Sequence, residues 1–137
     1  MNWKKTAKVI AAGLLIQIII SPVYADDVKI VVVEFRSDEG NHWSVDVTLK
    51  HGDTGWDHYA DNWRIVDDKG NILGNRVLYH PHVDEQPFTR SLSSVKVPEG
   101  TTIVYVEAHD KVHGWTPNRL KVDLNVVAGG RVRVNSD

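Results

Sequence analysis

The sequence predicts an all-β domain, and three observations carry that reading. After Ile20 no stretch sustains the apolar period of about 3.6 residues that marks an amphipathic helix. Several short stretches instead alternate apolar and polar residues, as half-buried strands do. Between them stand clusters of Asp, Asn, Gly and Pro, the residues that tight connections use.

Taken in order, residues 28–35 are rich in β-branched side chains, which suit a pleated surface. Residues 43–50 alternate most clearly, with Trp43, Val45, Val47 and Leu49 facing one way. Residues 63–66 and 72–79 flank Asp67-Asp68-Lys69-Gly70-Asn71, a hairpin signal. Residues 88–97 and 102–108 are separated by Pro98-Glu99-Gly100, and Leu120, Val122, Leu124 and Val126 alternate in a last strand. About seven strands at this spacing predict a single two-sheet Greek-key β-sandwich of immunoglobulin or fibronectin type III kind, with an up-and-down barrel as the competing arrangement. The chain has no cysteine, which excludes an antibody-type bridge between the sheets.

The N-terminus reads as a secretory signal over residues 1–25. Lys4, Lys5 and Lys8 supply positive charge, residues 9–20 are apolar apart from Gln17, and Val23-Tyr24-Ala25 ends on a small residue. Cleavage is predicted after Ala25. A spanning helix needs about 20 apolar residues, and this run is shorter and ends at Pro22 before Asp26-Asp27, so no stable membrane anchor is expected after cleavage. Without cysteine there is no attachment point for a lipid at the signal. Removing 25 residues from 137 leaves 112, enough for one core: a sandwich over residues 26–127 and a flexible tail over 128–137. The signal carries three of the 16 Lys and Arg and none of the 18 Asp and Glu, so the mature part has a net charge of −5. That balance argues against nucleic acid as a partner.

If each strand crosses the sandwich once, its connections alternate between two ends. Those at 37–42, 67–71 and 97–101 are plain turns. Those at 51–62, 79–87 and 109–118 are longer and hold six of the seven histidines. His80 and His82 flank Pro81, which favours an extended backbone and puts both imidazoles on one side; His109 and His113 straddle a strand end. These four are the predicted metal ligands. Trp56, Asp57, His58, Tyr59, Asp84, Glu85, Asp110 and Trp115 are predicted to support the site or to recognise a partner. His42 and His51 stand next to ordinary strand ends and are assigned no role.

With no thiol and no methionine beyond Met1, the expected ion is Zn(II) or Cu(II), not Cu(I). Binding through neutral imidazoles should weaken below about pH 6. The chemistry therefore predicts an exported binding protein with a metal ion or another envelope protein as partner, and no catalytic residue is assigned. Two other readings compete. Trp56, Tyr59 and Trp115 would suit an aromatic platform for a glycan or protein. A metal-dependent hydrolase would need three protein ligands and an open position. A Ser-His-Asp centre is disfavoured, because His109 and Asp110 are adjacent and point to opposite faces of a strand, and no nucleophile-elbow pattern is present.

The stretches GWDHYAD from Gly55 to Asp61, HPHVDEQPFTRS from His80 to Ser91 and AHDKVHG from Ala108 to Gly114 resemble those of a family of small exported bacterial β-domain proteins. The resemblance covers most of the mature chain. It implies bacterial export and a compact β domain, and it carries over no activity.

Overall fold

In the computed structural model, residues 27–126 and 129–136 are described, together with residues 8, 10–14 and 16–17 of the N-terminal stretch. The cleavage point expected after Ala25 lies outside the described residues. Among the described residues no helix is long and apolar enough to cross a membrane.

Among the described residues nine strands form two facing sheets. They are β1 (Lys29–Ser37), β2 (His42–Lys50), β3 (Ala60–Asp67), β4 (Ile72–Val77), β5 (Phe88–Lys96), β6 (Ile103–Asp110), β7 (Gly114–Trp115), β8 (Leu120–Asp123) and β9 (Val132–Asn135). One sheet has the order β5-β2-β1-β9 and the other β4-β3-β6-β7, with β8 also paired to β6. The chain crosses between sheets from β2 to β3, back from β4 to β5, and again from β5 to β6. Each returning strand lies beside an earlier one: β5 against β2 and β6 against β3. This is the expected sandwich; two open sheets replace the closed barrel that competed with it.

Alternation in the sequence becomes burial in the fold. Trp43, Val45, Val47 and Leu49 of β2 face Ile65 of β3 and Val104, Val106 and Ala108 of β6 across a core filled by Trp63 and Phe35. All seven expected strands are present. The sequence misses β7, which has only two residues, and β9, which lies in the stretch expected to be a flexible tail. That expectation is corrected: Val132–Asn135 pairs in parallel with β1, and Val134 is fully buried. Parallel pairing with a strand about a hundred residues earlier leaves no local signature, and only Val132 and Val134 alternate there, between Arg131 and Arg133.

The antiparallel pairings put the connections 38–41, 68–71 and 97–102 at one end of the sandwich. In one of these turns the Asp67 carboxylate accepts the amides of Lys69 and Asn71 and the Asn71 side chain. The connections 51–59, 78–87 and 111–113 share the other end, as the strand-alternation argument requires.

Candidate metal centre

β2 stops at Lys50, and the next residue, His51, turns inward with its amide held by Gln86 Oε1 at 3.0 Å. Its ring donates Nδ1–H to Asp53 Oδ1 at 2.5 Å. Asp53 Oδ1 also accepts the Ala60 amide at 3.0 Å, and Oδ2 accepts the His82 amide at 2.8 Å. One carboxylate thus fastens the 51–59 loop to the start of β3 and to the 78–87 loop. It also fixes the His51 tautomer, because with the proton on Nδ1 a neutral ring presents a lone pair at Nε2.

That Nε2 points to Asp110, the last residue of β6, at 3.8 Å from Oδ2. His58 brings its Nε2 to 3.5 Å from Asp110 Oδ1. Both gaps are too long for hydrogen bonds. Among the described residues neither nitrogen has a hydrogen-bond partner, though both are buried. One donor atom each from His51, His58 and Asp110 lies within 4.8 Å of the other two. Donor atoms around a tetrahedral ion, each at about 2.0 to 2.1 Å, stand roughly 3.4 Å apart. The two nitrogens stand 3.8 and 3.5 Å from the Asp110 oxygens, so the group could hold an ion once the donors close in on it.

The charge balance points the same way. Asp53 and Asp110 are carboxylates with no side-chain exposure. Among the described residues only histidines make ion-pair contacts with them. Burial opposes the charge on Asp110. The His113 amide at 2.6 Å, the His113 ring and the Val112 amide at 2.8 Å outweigh that opposition and hold its carboxyl below the ordinary range. An ionised carboxylate facing two unpartnered imidazole nitrogens is an arrangement that a cation could complete.

The four histidines expected as ligands are divided by the fold. His113 reaches Asp110 through Nδ1 at 2.9 Å, and its ring lies 5.1 Å from that of His58. His82 is buried against Phe88, its Nδ1 is 3.9 Å from Asp53 Oδ2, and its Nε2 accepts from Arg90 Nη2 at 2.8 Å. Burial, then the Arg90 charge and that of His80, pushes the His82 pKa down. The His80 ring is exposed, 4.4 Å from that of His82, with Nδ1 engaged by the Pro81 carbonyl. His109 leaves β6 by the face opposite Asp110 and pairs with Asp61 at 2.5 Å, so His80 and His109 stand apart from the centre.

Of the residues expected to assist, His58 and Asp110 become central. Asp57, Asp84 and Glu85 are exposed, and Glu85 meets Arg90 at 3.5 Å. Of the three aromatics, Trp56 is 62% exposed and meets the buried Tyr59 edge-on with ring centroids 5.9 Å apart, and Trp115 lies on the outer face beneath the Arg64 guanidinium. The sequence reading omits His51 and Asp53. The signal that could have found them is His-x-Asp directly after the clearest strand, a spacing that puts both side chains on one side of an extended chain.

No family model matches the chain, and no solved structure matches it. The chain is similar to a protein of Halomicrobium mukohataei named "Putative lipoprotein", with 42% identity over 97 residues. The match covers 71% of this chain and 47% of that relative, so the chain spans about half its length.

Proposed function

We propose that this protein is an exported metal-binding domain of the cell envelope, holding one Zn(II) or Cu(II) ion through His51, His58 and Asp110. The observation that carries this reading is the convergence of two buried, unpartnered imidazole nitrogens on a buried carboxylate. Asp53 orients His51 as an outer carboxylate, the arrangement that metal-bound histidines ordinarily show. A donor set of two nitrogens and one oxygen, without sulfur, suits either ion. Export is supported by the signal-like N-terminus and by the name of the relative, which describes a lipid-bearing protein.

Metal analysis and titration of the purified protein test the proposal. One equivalent of Zn(II) or Cu(II) is expected, lost in a His51→Ala, His58→Ala double variant and retained when His80 and His109 are both changed to alanine. Retention by the first variant, or loss from the second, would contradict the assignment.

A further inference from the structure

The donor atoms of this centre are enclosed. The His51 and Asp110 side chains have no exposure, and His58 Nε2 is shut off from solvent although 23% of its side chain is exposed. Ions that exchange ligands or activate water keep an open position, whereas structural ions sit in closed four-coordinate sites. Three donors leave one vertex to fill. The next imidazole outward is that of His113, in contact with Asp110 and beside His58, with 30% of its side chain exposed and so room to turn.

The donors also come from both layers. His51 directly follows β2 in one sheet, Asp110 ends β6 in the other, and His58 belongs to the connection between β2 and β3. An ion there ties the two sheets together at the end where the long connections lie, in a chain with no cysteine for a disulfide. Resting on the metal-binding reading above, we infer that the ion is a structural cross-link between the sheets, closed by His113 as fourth ligand. The His113 amide stays on Asp110 Oδ1 while its ring exchanges the Asp110 contact for the ion. The cross-link holds the 51–59 and 111–113 connections in place.

Co(II) is a suitable probe, since its visible absorption is intense in four-coordinate sites and weak when water adds to the ion. The loaded protein is expected to show the intense band and to release cobalt to excess chelator at a rate independent of chelator concentration, limited by local opening. Amide exchange across residues 51–59 and 110–116 should slow at least about tenfold on loading. A His113→Ala variant should still bind one equivalent, with a weaker band and release that is at least about tenfold faster and proportional to chelator. Release from the unaltered protein in proportion to chelator would overturn the cross-link, and so would a His113→Ala protein indistinguishable from it. Failure of the unaltered protein to bind cobalt, zinc or copper at all would overturn the metal-binding reading and the cross-link together.

Discussion

Asp53 accepts hydrogen bonds from the His51 ring, the Ala60 amide and the His82 amide, and each bond anchors a different segment. Changing Asp53 to Asn keeps the shape but removes the charge and the second strong acceptor, freeing the His51 ring to turn. Metal affinity is expected to fall about 10- to 100-fold, measurable by competition with a chromophoric chelator. Unchanged affinity would show that His51 needs no orienting partner. Away from the centre, the Arg36 guanidinium at 2.7 Å lowers the pKa of Asp46, helped by the Ser91 hydroxyl. Hydrogen bonds from the Asn71 side chain and turn amides lower that of Asp67. Both folded values lie below the unfolded value of 3.8, so their contribution is full above that pH and is lost as pH falls from there through the folded values. Thermal melts should therefore drop below about pH 4, with a shallower drop in Asp46→Asn. The residue types at the site were legible as a histidine-rich end. Which side chains converge on Asp110 was not, because which ring faces inward depends on where β2 stops and how the loop after it folds back, neither of which His51 signals by itself.

Strand β6 sorts the candidate residues by alternation alone. Asp110 follows Val104, Val106 and Ala108 toward the interior, and His109 follows Tyr105 and Glu107 outward, where Arg64 and Arg119 also lie. The same period that makes this strand readable in the sequence already puts His109 and Asp110 on opposite faces there. The strand that β6 pairs with beyond β7 is interrupted at Pro117, which has no amide to donate. Hence residues 114–123 form two short pieces where the sequence shows only the second. At β9 the limit is different in kind. Its parallel partner is distant and its apolar content small, yet Val134 is fully buried against the core. Val134→Ala is expected to lower stability by about 2 kcal/mol in chemical denaturation, whereas a flexible tail would give no change.

Over the whole molecule, the strand count and the alternation of connections determine which segments meet. The sequence order β2, β3, β4, β5, β6 and the crossings between sheets bring residues 51–58, 82 and 110–113 to one end, although they are spread over sixty residues. The end-to-end division of the sandwich was therefore legible before any side-chain contact. The contrast between the ends follows from it. One end closes with turns held by carboxylates such as Asp67 on backbone amides. The other buries two carboxylates whose ion-pair contacts, among the described residues, are histidines alone. The central claim is that a single ion satisfies that second end. Anomalous diffraction from a crystal grown with Zn(II), recorded across the zinc absorption edge, tests it most directly. The account predicts one strong peak between His51 Nε2, His58 Nε2 and the Asp110 carboxylate; a peak at His80 and His82, at His109, or none at all would contradict it.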